Sequence, residues 1–149
     1  MALSMDGVFP IEHNHGHHKN VGTVHDAATA RYGESVYRFI GCSTWGEYCN
    51  AWRVERHRLE KAKSALWSLH NRYLRALARS ATFPILAAAT GGIFCALIVL
   101  LSMLWAKVLL ETVNYIEHYG LVRVPNAPIK PRHSWNSTAW MSGTITFLL

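Results

Sequence analysis

The chain has 149 residues, 15 Lys plus Arg against 9 Asp plus Glu for a net charge of +6, and a hydrophobic fraction of 50%. That length holds one domain at most, and a half-apolar chain with 16% charged residues is not disordered. Ten Gly, five Pro and three Cys exclude collagen and a disulfide scaffold, which leaves nine histidines as the unusual feature.

Met1 to Pro10 contains no basic region followed by an apolar core, so no signal peptide is expected there. Glu12-His13-Asn14-His15-Gly16-His17-His18-Lys19 then carries the pattern H-x-x-x-H-H. On a helix His13 and His17 fall about 40° apart, one turn from each other, and His18 about 100° further round. Two imidazoles at that spacing can chelate one metal and the third can reach a second, whereas His15 points elsewhere. Imidazole without thiolate suits iron, copper, nickel or zinc. The same spacing is equally compatible with an exposed His-rich stretch of adventitious metal affinity. Three histidines do not close a site, so further ligands must come from elsewhere.

Trp45, Tyr48, Cys49 and Trp52 recur at i, i+3, i+4 and i+7, and the stripe continues loosely through Leu59, Ala62, Leu66 and Leu69. This predicts an amphipathic helix suited to a membrane interface, or one packed on a soluble core. Residues 51–80 hold eight basic residues against Glu55 and Glu60, so the whole net charge sits in this block, and the rest of the chain is neutral. A basic block just before the most apolar stretch matches a positive-inside flank. Nothing interleaves aromatic with basic residues as a nucleic-acid face requires, so no nucleic-acid partner is expected.

Residues 82–106 form 25 positions without a charge. As a helix they span about 37 Å, more than the roughly 30 Å of bilayer hydrocarbon, which predicts a membrane protein. Gly91-Gly92 interrupts the run. Hydropathy alone permits one crossing, or a hairpin of one helix over about 72–90 and a second over about 93–118. In the hairpin Arg72, Arg75 and Arg79 share a face that must point at protein or water, and the uncharged part of the first arm, 80–90, requires protein cover near Arg75 and Arg79. Phe94, Leu97, Leu101 and Trp105 would line a substrate channel or face lipid.

His118 follows at the end of the apolar helix, where a membrane-surface metal site would need a ligand. A lone histidine there more often caps the helix dipole. His25, His57 and His70 have no ligand spacing, and His57 is expected to face solvent. Pro125, Pro128 and Pro131 make 121–133 an extended loop, and apolar residues resume near Trp140. Cys42, Cys49 and Cys95 form no C-x-x-C pair, which fits a reduced, cytosol-facing location.

Asn114-Tyr115-Ile116-Glu117-His118-Tyr119-Gly120-Leu121, followed by Pro131-Arg132-His133-Ser134-Trp135-Asn136, closely resembles the signature region of the membrane-bound alkane monooxygenases, of the histidine-box, fatty-acid-desaturase-like superfamily. Residues 12–18 resemble the second histidine box of that family, and 30–39 and Trp67-Ser68-Leu69 also follow its pattern. The resemblance implies an all-α integral membrane fold: a cytoplasmic and interfacial part over 1–69, a transmembrane hairpin over 70–118 turning near 91–92, then a loop and the start of another helix over 119–149. It implies two non-haem irons, with His13, His17, His18 and His118 as ligands and His133 in a structural or supporting place. Asn114, one turn before His118, and Glu117 beside it are candidates to fix its tautomer, although Asn114 equally suits a helix-to-helix hydrogen bond. The resemblance further implies rubredoxin as electron donor, an alkane or alkyl chain as substrate, lipid around the helices, and a multi-pass inner or plasma membrane location with the histidines facing the cytoplasm. Ligands on one side of the membrane require an even number of crossings between His18 and His118, which favours the hairpin. The family's first and last histidine boxes fall outside 1–149, so the chain resembles a central piece whose activity alone is not expected to be complete. A desaturase or epoxidase of the same superfamily and an inactive membrane fragment are the other two readings.

Overall fold

The computed structural model describes residues 7–13, 17, 20–23, 25–124 and 127–128. Among them all regular structure is helical: α1 (Phe9–Glu12), α2 (Val36–Lys61) and α3 (Arg72–His118). His15, His18, His133 and the apolar run near Trp140 lie outside the described residues.

The start of α2 has no side-chain cap; Phe39 N–H bonds back to the Ser35 carbonyl. Its end is a Schellman motif: Ser64 N–H donates to Leu59 O and Lys63 N–H to Glu60 O, with Lys63 left-handed at φ 50°. The helix therefore stops at Lys61, short of Leu66 and Leu69, which the apolar stripe had suggested it would include. The stripe itself also differs from the packed face. Phe39, Ser43, Glu47, Ala51, Glu55 and Leu59, spaced by four, are buried, while Trp45 is 73% exposed. Glu47 on this inner face pairs with Lys107 of α3, and Glu55 accepts from Arg58 of its own helix and from the Arg72 N–H of α3, matches that hydrophobic periodicity alone does not register. Trp52 instead packs edge-on to Tyr73, ring centroids 5.3 Å apart, joining α2 to the start of α3.

Asn71, fully buried, caps α3: its Oδ1 accepts from Leu74 N–H at 3.1 Å and its Nδ2 donates to Leu66 O at 2.8 Å. Glu55 fixes the approach, accepting a bidentate pair from Arg58 and the Arg72 N–H at 2.7 Å. The helical backbone is broken once, at Gly92 (φ 75°, ψ −171°), so α3 consists of two helical runs, 72–91 and 93–118. Those dihedrals are open only to glycine. Both runs contact α2, the first through Arg72 and Glu55, the second through Lys107 and Glu47.

A small apolar core of Val8, Ala51 and Ala76 joins the three helices, with Ile11, Tyr48 and Tyr73 around it. At Gly7 the chain passes so close to α3 that a Cβ would lie 2.6 Å from Ala76 O and 2.8 Å from Ser80 Oγ, so the close approach needs glycine. In the second run Ala96, Met103, Lys107, Glu111, Asn114 and His118 form one buried stripe at spacings of seven, four, four, three and four.

The rest of α3 is long and apolar enough to cross a membrane, and most of its apolar surface is uncovered. Ile93, Phe94, Leu97, Ile98, Leu101 and Trp105 are 47–77% exposed. A soluble core helix would bury them, so the exposure points to a lipid environment. Phe94, Leu97, Leu101 and Trp105 thus face outward and line no channel among the described residues. Arg72, Arg75 and Arg79 line an open cleft whose other walls are α2 and the N-terminal segment, so Arg75 and Arg79 lie beside protein while their side chains stay exposed.

Candidate metal centre

His13 follows α1 directly, its N–H bonded to Phe9 O, and its ring stacks on Phe9 at 4.4 Å. The next turn brings His17 against it, ring centroids 5.3 Å apart. His118, about a hundred residues further along and the last residue of α3, completes the group with its ring 4.9 Å from that of His17. Three of the four ligands read from the sequence are therefore neighbours, and the fourth, His18, lies outside the described residues. Two imidazoles on one ion, with metal–nitrogen bonds of about 2.0–2.1 Å, hold their ring centres about 5 Å apart; the His17–His118 pair, tilted by 57°, matches that spacing, whereas His13 stacks nearly parallel to His17 at 21° and does not aim at the same point. Among the described residues no group of three donor side chains already converges on one point.

His17 is 7% exposed and its Nδ1–H donates to Asp26 at 3.0 and 3.2 Å. Asp26 is itself fixed by the Thr29 hydroxyl at 2.5 Å and the Ala28 N–H at 3.2 Å. Burial alone would make His17 less basic, but the Asp26 hydrogen bond and charge, with Glu12 and Glu117 behind it, outweigh burial and raise its pKa. Burial likewise works against ionisation of Asp26, and the bonds from His17, Thr29 and Ala28 win, holding its carboxyl below the usual range. A carboxylate on Nδ1 fixes the tautomer that presents Nε2 to a metal. Asp26 is the site residue that sequence reasoning missed. It stands nine positions from His17 across a turn, and the only available signal was the general need of a ligating histidine for such a partner.

Glu12, 2% exposed, points into the same region and is bonded to Asn50. Burial, reinforced by the charges of Asp26 and Glu111 and opposed by His17 and Asn50, pushes its carboxyl up to about 7. One of its oxygens, Oε1, is buried without a hydrogen-bond partner. A buried carboxylate oxygen near His17 adds an oxygen donor to the imidazoles of the candidate site, a combination that suits a borderline cation.

Asn114 and Glu117 are both buried near His118. Asn114 lies one turn before it on the same face, and Glu117 Oε2 is 3.9 Å from His118 Nε2, in ion-pair range but too far for a hydrogen bond. Below them on the same stripe Lys107 Nζ lies 2.5 Å from Glu47 and 2.6 Å from Glu111, all three at most 4% exposed. The charged pair Lys107 and Glu111, one turn apart directly after the uncharged run, was visible in the sequence, but not its partner on α2.

The string 114–121 is tied to the segment that follows the histidine cluster of residues 12–18. Tyr115 Oη donates to Glu34 O at 2.7 Å, Gly33 N–H donates to Tyr119 Oη at 2.9 Å, and Gly120 N–H to Ala30 O at 2.9 Å. Arg123 reaches Val21 O through Nε at 2.7 Å and Gly22 O through its N–H at 2.6 Å. Residues 21–22 and 30–34 are thereby clamped to 115–123, which sets His118 opposite His17.

The fatty acid desaturase family model matches residues 1–149, the whole chain. The chain belongs to the fatty acid desaturase family. Within it, the chain is 39% identical over its full length to alkane 1-monooxygenase 1 of Alcanivorax borkumensis and 36% identical to an alkane 1-monooxygenase of Pseudomonas putida, covering 38% of each. It is also 33% identical, over 85% of its length and 34% of the relative, to the hydroxylase component of a xylene/toluene monooxygenase of Pseudomonas putida. The chain thus spans well under half the length of these relatives.

Proposed function

We propose that the chain is part of a membrane-bound, non-haem di-iron monooxygenase that hydroxylates the terminal methyl of an alkane or alkyl chain. The observation that carries this reading is the meeting of His17, backed by Asp26, with His118 across about a hundred residues of sequence. His13, His17 and His118, with His18 by resemblance, would hold the metal, and Asn114, Glu117 and His133 would support those ligands. Bound iron would supply activation of dioxygen and insertion of one oxygen atom into a C–H bond. The chain's own residues hold the ligand nitrogens in place. Asp26 keeps Nδ1 of His17 protonated, the tyrosine ties seat His118, and Phe9 covers one face of His13 against water.

The topology is a transmembrane hairpin turning at Gly91-Gly92. Glu47 and Glu55 are eight residues apart on α2, about 12 Å, yet they meet Lys107 and Arg72, which an unbroken helix would separate by about 52 Å. That disparity supports a chain that folds back. The first arm, 72–91, is about 30 Å long, of which the residues after Arg79 reach about 18 Å beyond the headgroup-level arginines, and the second arm, sharing the same turn, returns to α2 where Lys107 meets Glu47 and Glu111. The basic block of 51–80 supports a cytoplasmic site, where a soluble donor of the rubredoxin type delivers electrons while substrate arrives from the bilayer. In the full-length protein, His118→Ala should abolish turnover of a terminal alkane; retained turnover would overturn the assignment.

A further inference from the structure

An open cleft of about 750 Å³ lies between α2 and the first arm of α3. Arg72, Arg75 and Arg79 line it from α3, Arg58 and Lys61 from α2, and Pro10 and Ile11 from the N-terminal segment. Five cations thus face a single carboxylate, Glu55, which is already engaged by Arg58 and the Arg72 N–H. Among the described residues Lys61, Arg75 and Arg79 have no ion-pair partner. The metal centre uses none of these groups. So many like charges in one concavity repel each other, and an anion entering it relieves that repulsion while meeting guanidinium forks suited to phosphate.

Two further features narrow the anion. Ile11, Val54 and Ala76 give the cleft apolar wall beside the cations, which an inorganic ion would leave unused. Arg79 also directly precedes the uncharged part of the first arm, so on the membrane reading proposed above, Arg75 and Arg79 sit where hydrocarbon gives way to headgroups. We propose that this cleft binds the headgroup of an anionic membrane phospholipid, with the phosphate between Arg75, Arg79 and Lys61 and the glycerol carbons against Ile11, Val54 and Ala76. A basic concavity at the cytoplasmic end of a membrane helix has the form that such headgroups occupy.

The test uses the full-length protein, purified in detergent, equilibrated with phosphatidylglycerol or phosphatidylcholine, with retained lipid quantified by mass spectrometry. The wild type should retain phosphatidylglycerol in preference, and Arg75→Gln/Arg79→Gln should reduce that preference by about 25-fold, a factor of about five for each cation lost. Arg75→Lys/Arg79→Lys should keep most of it, which separates lost charge from misfolding, and Arg53→Gln/Arg56→Gln outside the cleft should change nothing. No preference in the wild type, an unaffected glutamine variant, displacement by inorganic phosphate alone, or binding of poly-glutamate in place of phosphatidylglycerol would each overturn the proposal. Alkaline carbonate extraction separates it from the membrane reading. Release of the wild type would overturn both, whereas a membrane-retained protein without lipid preference overturns the lipid site alone.

Discussion

Replacing Lys107 by methionine keeps the length and apolar stem of the side chain and removes only the ammonium. In the wild type that ammonium lies 2.5 Å from Glu47 and 2.6 Å from Glu111, and none of the three residues is more than 4% exposed. The two carboxylates then confront one another in a medium that solvates them poorly. Removing one partner of a buried ion pair typically costs about 3–5 kcal/mol, a large share of the roughly 5–15 kcal/mol that hold a domain together. At about 2–4 °C per kcal/mol, the melting temperature in detergent, followed by circular dichroism, should fall by about 6–20 °C. Because Lys107 and Glu111 share the stripe that ends at His118, bound iron should fall with it. Glu47→Gln/Lys107→Met/Glu111→Gln, which removes all three charges, should recover most of the stability. A Lys107→Met protein that melts within about 2 °C of the wild type would refute the reasoning, since less than about 1 kcal/mol is the value of an exposed pair.

Asp26→Asn leaves a hydrogen-bond acceptor but no charge beside His17, and iron affinity should fall about 10–100-fold by equilibrium competition with a chelator; an unchanged affinity would detach Asp26 from the site. Gly92→Ala meets open space but a φ of 75°, so it should destabilise by about 1–3 kcal/mol through backbone strain alone; a neutral effect in a thermal melt would show that the turn adopts another conformation. Burial opposes ionisation of Glu55, but the Arg58 and Arg72 contacts prevail and hold its carboxyl below the ordinary 4.5. Its contribution to stability is therefore full above that pH and lost as pH falls through the lowered folded value. Glu55→Gln should flatten this acid limb of the stability curve, and an identical limb in wild type and variant would contradict the assigned contacts.

The sequence made the local half of the site legible. The spacing of His13 and His17 is a property of one turn, and the rings do stack one turn apart. A glycine pair in an apolar run marks a break, and Gly92 is where the helix breaks. The other half depends on partners distant along the chain. Asp26 carries no period that links it to His17, and the ion pair from Lys107 to Glu47 joins positions 60 residues apart. Apolar periodicity did not give the packed face of α2, because the inner face is Ser43, Glu47 and Glu55 beside Phe39, Ala51 and Leu59 while Trp45 turns outward. Resemblance to a family placed His118 in the site without a physical reason. The bonds from Tyr115, Tyr119 and Gly120 to residues 30–34 provide one.

The central claim is that His17 and His118 ligate one metal centre. Iron quantification on the full-length protein, compared with His17→Ala and His118→Ala, tests it most directly. The wild type should retain iron through gel filtration, and either substitution alone should deplete it while the protein stays folded. Undiminished iron in both variants would contradict the claim.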